Sequence, residues 1–363
     1  MKEYNKEEYN KEEKNTKKSK KRMNKGIRIF FIFLLVIVII ISGIATAGYI
    51  FMNSKFGKIQ NEKINIEEVG INEEVEKRLD GYRNVALLGI DSRQDDYGKG
   101  NRSDCIIIAS LNEKTNEVKL ISVYRDTFVN VEENGKDRLD KITHAYSYGG
   151  PQNTLKSLNE ALDLNITEYV TVNFDAVVVA VNAMGGINIK IEPAEIKYIN
   201  NYIDETSKVS HTKSHHINNP GVQKLDGVQA VAYSRIRYTA GGDQKRAERM
   251  RTVVSAMIDK AKTLNMSQLN NLADIILPKV RTNIDTAEIW KMVPKLITAK
   301  VEDSFGWPYQ TKGITLDRWY GVPVTLEENV IRLHKEVFEE DNYVVSDTVK
   351  EMSNKIIKKT GYR

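Results

Sequence analysis

The sequence contains a single cysteine, Cys105. One thiol cannot form a disulfide within the chain, so no covalent cross-link stabilises the fold. Cys105 lies in an apolar run, where a cysteine is typically a small core residue. The lack of cysteine also bears on His211, His215 and His216. With no cysteine and no pair of carboxylates beside them, these histidines fit a polar loop better than a metal site.

A net positive charge is found only in the first 28 residues. The formal net charge is +5, and residues 1–28 alone contain eleven Lys or Arg and five Glu. The remainder of the chain is therefore close to neutral. This charge distribution predicts a solvated basic tail on a folded body that lacks the broad basic surface of a nucleic-acid-binding protein.

Charge of either sign is absent from residues 29–54. This stretch exceeds the ~20 residues that an α-helix needs to cross a bilayer. The basic tail before it places residues 1–28 in the cytoplasm and everything after residue 55 outside, by the positive-inside rule. The alternative is a signal peptide cleaved near Ala45-Thr46-Ala47. An exported protein without disulfides fits the surface of a single-membrane bacterium.

Beyond residue 82, apolar runs predict strands that end in charged residues. Strands over 84–90 and 118–124 stop at Asp91 and at Arg125-Asp126, and a strand over 105–111 lies between them. In open α/β sheets, ligands bind at the carboxyl ends of strands. Further along, the pattern predicts helices over 151–164, 174–184 and 226–234, a polar excursion over 196–224, a long helix over 243–264, a helix near 285–300, a hairpin across 313–324 and a helix over 326–339.

Arginine and aspartate recur together beside these apolar elements. They form four groups, at 89–93, 100–104, 124–127 and 235–246. Many guanidiniums with a few carboxylates suit the binding of a phosphate or diphosphate with a divalent cation. Arg235 and Arg237 flank Ile236, so in an extended segment both are expected to point the same way. Taken singly, each group also fits a local ion pair or an Asp-capped loop.

In order and spacing, these motifs resemble the LytR–CpsA–Psr family of cell-wall enzymes across residues 82–264. The motifs are residues 84–91, Arg102-Ser103-Asp104, residues 122–127, residues 141–146, residues 181–187, Leu225-Asp226-Gly227 and residues 233–238. The resemblance implies an α/β fold, an α-β-α sandwich around a mixed central sheet with an apolar lipid tunnel. It also fits the single transmembrane helix before the folded domain.

The resemblance further implies a Mg²⁺-dependent phosphotransferase. Its donor would be a polyprenyl-pyrophosphate-linked anionic glycopolymer, such as a teichoic acid or a capsular polysaccharide. Its acceptor would be peptidoglycan, and a pyrophosphatase side activity is compatible with the same site. Two alternatives remain, a non-catalytic polyprenyl-phosphate scaffold and a transcriptional attenuator. The near-neutral external body and the absence of a helix-turn-helix signal in the tail argue against nucleic acid as a partner.

Site residues follow from the resemblance position by position. Asp91 and Asp104 would bind Mg²⁺. The diphosphate would be held by Arg102, Arg125, Lys141, Arg235, Arg237, Arg246 and Arg249. The catalytic set is Asp91, Asp104, Arg125 and Asp126, with Asp91 or Asp126 as base by chemistry alone. Two positions depart from the family pattern, because His144 replaces a usual Asn and Met250 a common Gln.

The predicted organisation therefore has five parts. They are a cytoplasmic tail (1–28), a transmembrane helix (29–52), an extracytoplasmic stalk (53–81), a catalytic domain (82–264) and a C-terminal extension packed on the same fold (265–363).

Overall fold

The computed structural model describes Ser54 and residues 57–92 and 97–363. It divides the chain into two units, Met1–Ser54 and Lys55–Arg363. The predicted tail and transmembrane helix lie outside the described residues. Among the residues that are described, no helix is long and apolar enough to cross a membrane.

The described part of Lys55–Arg363 contains thirteen strands. They are β1 (Gln60–Asn61), β2 (Tyr82–Ile90), β3 (Ser103–Asn112), β4 (Glu117–Val123), β5 (Phe128–Glu133), β6 (Lys136–Lys141), β7 (Glu168–Asn173), β8 (Ile187–Ile191), β9 (Gly221–Leu225), β10 (Arg281–Thr282), β11 (Lys300–Trp307), β12 (Thr311–Thr315) and β13 (Trp319–Pro323). Seven of them form one sheet in the order β1-β10-β7-β2-β3-β4-β11. β2, β3 and β4 are antiparallel neighbours, whereas β7 and β11 run parallel to β2 and β4. The central sheet is therefore mixed, as predicted.

Ten α-helices accompany these strands within the described ranges. They are α1 (Glu73–Arg78), α2 (Thr143–Leu162), α3 (Phe174–Ala183), α4 (Ile196–Val209), α5 (Gly227–Arg235), α6 (Gly242–Lys262), α7 (Met266–Ile276), α8 (Thr286–Thr298), α9 (Leu326–Phe338) and α10 (Asp347–Thr360). α2 is broken at Gly150, whose φ of 70° is left-handed, and Pro151 begins its second segment. Proline fits that position because the first turn of a helix needs no backbone donor there.

Apolar side chains on alternate faces of the strands place the sheet between two helical layers. Leu88 and Ile106 share one buried core with Leu155 of α2 and with side chains of α9 and α10. Ile107 and Leu120 point to the opposite face, where Val254 of α6 packs against them. Burying both faces explains why the strand runs are apolar almost throughout. The predicted mixed α/β fold around a central sheet is confirmed.

Three predicted segments differ from the structure. The proposed stalk is part of the folded unit, because Val69, Val75 and Leu79 are buried in the main core. The polar excursion contains α4, whose Ile199 and Ile203 are buried one turn apart. The central sheet extends past residue 264, because β10 and β11 belong to it.

Candidate functional site

Charged residues from three neighbouring strands meet at one edge of the central sheet. β2 and β4 both run antiparallel to β3, so their carboxyl ends lie beside the start of β3. Asp91 follows β2, Asp104 is the second residue of β3, and Arg125-Asp126 follow β4. Strand direction alone therefore brings together the residues that the sequence showed at separate positions.

A β-bulge at the start of β3 sets the position of Asp104. Gly89 pairs with Cys105 and Ile90 with Ser103, so Asp104 is the extra residue on its strand. The backbone amides of Asp91 and Asp104 both donate to the carbonyl of Arg102, at 3.4 and 3.1 Å. Bulges re-aim side chains and are frequent beside active sites. Here the bulge places the two carboxylate-bearing residues next to each other.

Asp104 is the centre of a group of alternating charges. One carboxylate oxygen lies 2.6 Å from Arg125 Nη1. The other lies 3.6 Å from Arg237 Nη2 and 3.9 Å from Arg246 Nη1. We call this group, together with Asp126, Lys141 and Asp243, the edge cluster. Its four cationic and three acidic side chains come from five different parts of the described chain.

Lys141 joins the cluster through Asp126, with its Nζ 2.7 Å from Asp126 Oδ1. Asp140, which is fully buried, orients this lysine by accepting from its backbone amide at 2.8 Å. Burial opposes ionisation of Asp140, but hydrogen bonds from His144, Lys141 and Tyr148 outweigh it and hold the pKa of its carboxyl well below the usual range. The negative charge behind Lys141 is therefore fixed.

Asp243, in the first turn of α6, contributes the third carboxylate. Its Oδ1 lies 2.7 Å from Arg246 Nη2. Burial raises the pKa of Asp243 to about 6, helped by the negative charges of Asp126 and Asp104 and opposed by Arg125 and Arg237. A carboxylate with such a pKa is a better base near neutral pH than an ordinary aspartate.

Two guanidiniums of the edge cluster have donors to spare. Arg246 is 3% exposed, and its Nε has no hydrogen-bond partner among the described residues; the same holds for Arg125 Nε. A buried N–H left unpaired costs about 1–3 kcal/mol. An oxyanion between these two side chains would accept both hydrogen bonds. The site is therefore built to receive an anion.

Not all predicted site residues enter the cluster. Arg249 is 1% exposed and donates to Glu195, to the carbonyl of Ile236 and to Thr239. Its donors are therefore committed to the protein, and the prediction that it binds diphosphate is not supported by its placement. What Arg249 does is fix the backbone between Ile236 and Thr239, and with it Arg237.

Arg235 and Arg237 point in different directions, contrary to expectation. Arg235 is the last residue of α5, so it leaves the helix toward α4 and pairs with Glu205 at 3.1 Å. Ile236 is extended, and Arg237 beyond it turns to Asp104. Arg235 is helical and Ile236 is extended, and this change of backbone conformation breaks the alternation that the sequence argument assumed.

Asp91 and Arg102 lie at the exposed rim of the site. Arg102 forms no ion pair within the described residues, and its backbone carbonyl is what ties the bulge together. Around Asp91, and elsewhere in the described ranges, no three His, Cys, Asp or Glu side chains converge on a metal position. Of the three histidines considered as metal ligands in the sequence, His216 pairs with Asp204, with its Nε2 2.8 Å from Asp204 Oδ1.

Both departures from the family pattern are buried near the site. His144 is 6% exposed, with Nδ1 3.0 Å from Asp140 Oδ1, so it supports the carboxylate behind Lys141. Met250 is also 6% exposed. It stands one turn beyond Arg246 on α6 and adds apolar rather than hydrogen-bonding surface there.

The sheet face beneath α6 has apolar surface that the core does not close. Leu87, Cys105 and Ala109 lie on the central strands β2 and β3, yet all three are only partly buried. A Cβ at Gly89 would lie 2.8 Å from that of Cys105, so glycine lets the two strands approach here. Burial raises the pKa of the Cys105 thiol to about 12, which keeps it neutral. In α7, none of the described side chains is fully buried.

Comparison with known proteins gives a consistent result. The model of the LytR_cpsA_psr family matches residues 47–315. The polyisoprenyl-teichoic acid–peptidoglycan teichoic acid transferase TagT of Bacillus subtilis (strain 168) is 30% identical over 236 residues, which are 63% of this chain and 70% of the relative. TagU of Enterococcus faecalis (strain ATCC 700802 / V583), named as the same transferase, is 31% identical over 210 residues, 57% of this chain and 63% of the relative.

Solved structures agree with the sequence match. A structure of TagT bound to LIIa-WTA superposes with a TM-score of 0.54 at 25% identity, covering 78% of this chain and 92% of that one. A crystal structure of Bacillus subtilis TagT gives a TM-score of 0.55 at 26% identity, covering 71% and 92%.

Proposed function

Because this chain belongs to the LytR–CpsA–Psr family, we propose that it transfers a polyprenyl-pyrophosphate-linked anionic glycopolymer, a teichoic acid or a capsular polysaccharide, onto peptidoglycan. The observation that carries the proposal is the edge cluster. Two of its guanidiniums have a buried Nε with no hydrogen-bond partner among the described residues, in a chain whose relatives are named teichoic acid transferases.

The edge cluster suits a diphosphate better than a single carboxylate ligand. Arg125 and Arg246 lie on either side of Asp104, and Arg237 and Lys141 widen the positive surface. We assign the leaving lipid phosphate to this group of cations. Fixed positive charge that neutralises the phosphate as it leaves lowers the barrier without reorganisation.

The donor set also fits a Mg²⁺ ion. Asp91 and Asp104 are adjacent at the bulge, and Mg²⁺ typically takes one or two carboxylates together with water and substrate phosphate oxygens. When bound, the ion would polarise the phosphoryl oxygens and neutralise developing charge.

The transfer step balances as a substitution at phosphorus. The acceptor hydroxyl oxygen bonds to the glycan-side phosphorus, and the bond from that phosphorus to the bridging oxygen breaks. Polyprenyl phosphate leaves, and the glycopolymer is joined to the acceptor by a phosphodiester. We assign the hydroxyl proton to Asp243, because its raised pKa suits a base near neutral pH. Water in place of the hydroxyl would give the pyrophosphatase side reaction.

The lipid part of the donor needs apolar surface next to the cluster. The partly buried side chains of Leu87, Cys105 and Ala109 supply it on the same sheet, beneath α6. We propose that the polyprenyl chain lies there as in a tunnel. We also propose that residues 29–52 span the cell membrane once, with the N-terminus inside, and hold the catalytic unit at the outer surface where a lipid-linked donor is available.

The test uses the full-length protein in detergent or nanodiscs. Solvent extraction and mass spectrometry should find polyprenyl phosphates carried through purification. Arg125→Ala should lower the lipid yield, and Lys350→Ala, which removes an exposed cation far along the chain in α10, should not. An unaltered yield in Arg125→Ala would count against the site.

Turnover separates an enzyme from a scaffold. With a lipid-linked glycopolymer and Mg²⁺, the wild type should release polyprenyl phosphate over time. A protein that only binds the donor would retain it, and release at the uncatalysed rate would support the scaffold instead.

A further inference from the structure

The hairpin of β12 and β13 is attached directly to the edge cluster. The backbone amide of Gly321 in β13 donates to the carbonyl of Asp126 at 2.9 Å, and Gly321 pairs with Thr127 in parallel fashion. Lys141 Nζ lies 5.8 Å from the centre of the Tyr320 ring. The strand that carries Trp319 is therefore anchored beside the edge cluster through Gly321.

Trp319, the first residue of β13, lies flat across the hairpin on two glycines. A Cβ at Gly313 would lie 2.8 Å from Trp319 Nε1, and a Cβ at Gly321 would lie 3.6 Å from its Cη2. A side chain at Gly313 would displace the indole, whereas a Cβ at Gly321 would lie in ordinary van der Waals contact with it. Trp319 is nevertheless 49% exposed. The indole is thus supported from below and presents surface to solvent.

Exposed charged residues come directly before this indole in the chain. Arg318 and Asp317, which precede it, have side chains that are 46% and 56% exposed. Thr315, which pairs with Trp319 across the hairpin, adds a hydroxyl on the partner strand. A flat aromatic surface with charged hydrogen-bonding groups at its margin suits a pyranose ring, because the C–H face of a sugar stacks on an aromatic while its hydroxyls and carboxylates bond at the edge.

We propose that Trp319 is the binding platform for the sugar chain of the peptidoglycan acceptor. The inference rests on the proposed function, which requires a sugar hydroxyl to reach the edge cluster. Trp319 precedes Gly321 by two residues, so it is about 7 Å along the strand from the contact with Asp126. A short stretch of sugar chain spans that distance. Lipid and diphosphate bind elsewhere, so the platform acts on the acceptor alone.

The experiment measures acceptor and donor binding separately on the full-length protein in nanodiscs. Soluble, uncross-linked glycan fragments of peptidoglycan are titrated by calorimetry, and co-purified lipid is quantified by mass spectrometry. Trp319→Ala should weaken glycan binding at least tenfold and leave the lipid yield unchanged. Trp319→Phe should retain most of the affinity. Val222→Ala, which truncates an apolar side chain 71% exposed on β9, should match the wild type in both.

Two outcomes would overturn the inference. One is a Trp319→Ala variant that binds glycan as well as the wild type does. The other is a wild type that carries lipid yet binds no glycan fragment, which would leave the proposed donor site intact. Failure of the proposed function would be distinct, since the wild type would then contain no polyprenyl lipid and release none.

Discussion

Replacing Asp243 by Asn tests the electrostatics of the edge cluster most directly. The pKa of this carboxyl rises from an ordinary 3.8 to about 6, mainly through burial. Each pKa unit corresponds to about 1.4 kcal/mol. The free energy of protonating Asp243 therefore differs by about 3 kcal/mol between the folded and the unfolded chain. This is an order-of-magnitude figure for a side chain that is 25% exposed.

The sign follows from proton binding. The folded protein holds the Asp243 proton more tightly than the unfolded chain does, so protonation favours folding. That contribution is complete below the ordinary pKa and is lost as the pH rises from about 4 to about 6. Asn cannot titrate. The free energy of unfolding of Asp243→Asn, relative to the wild type, should therefore increase by up to about 3 kcal/mol over this interval.

Urea unfolding of both proteins at a series of pH values gives this difference, and other titrating groups cancel in it. Turnover supplies the second measurement. In the wild type, kcat/KM should rise with pH through about 6, and in Asp243→Asn this limb should vanish with a loss of about 10²–10⁴ in rate. Parallel stability curves for the two proteins would refute the reasoning on the buried carboxyl. If kcat/KM of Asp243→Asn still rises with pH through about 6, Asp243 is not the base.

Three further predictions follow from neighbouring contacts. Arg249→Met should lower the free energy of unfolding by about 3–5 kcal/mol, because Glu195 remains buried without its partner. Adding Glu195→Leu to the same chain should restore most of this loss, as measured by urea unfolding. Normal stability with a reduced lipid yield would instead make Arg249 a phosphate ligand. Bound polyprenyl lipid should slow labelling of Cys105 by an apolar thiol reagent, as followed by mass spectrometry, and equal rates with and without lipid would place the chain elsewhere. Asp104→Ala should abolish Mg²⁺-dependent turnover while circular dichroism shows a retained fold, and undiminished turnover would remove Asp104 from the metal site.

The sequence was informative about the sheet because its strands have a simple pattern. Apolar runs ending at Asp91 and at Arg125 predicted two strand ends, and the short turn over residues 113–116 joins β3 and β4 as antiparallel neighbours. The longer segment over residues 91–102 precedes β3, which is antiparallel to β2 as well. The shared edge follows from those directions. The family resemblance then named Asp104 and Lys141, which the structure brings to that edge.

Side-chain direction was less accessible to the sequence. Arg246 and Arg249 stand one turn apart on α6, yet one faces Asp104 and the other is enclosed by Glu195 and its neighbours. The difference depends on α4 and the short turn before it, a region read as a polar excursion. The Ile199 and Ile203 spacing was a helix signal there, but the surrounding Asn, Asp and Lys residues diluted it.

The raised pKa of Asp243 could not be predicted either. Its cause is burial together with Asp126 and Asp104, which come from distant parts of the chain. In the sequence, Asp243 looks like an ordinary acidic residue opening a helix. A hairpin across 313–324 was expected from the sequence. Its contact with Asp126 was not expected, because the local residue pattern of β13 does not specify which segment packs beside it.

The parallel pairing of β11 with β4 has a consequence for how the molecule is made. β4 ends at Val123, whereas β11 begins at Lys300, so the outer strand of the sheet is synthesised long after its neighbour. Contacts between such distant segments slow folding. Until β11 arrives, β4 is an open edge that invites wrong pairing. If the unit is exported as proposed above, a chain translocated from its N-terminus would keep that edge exposed throughout its passage.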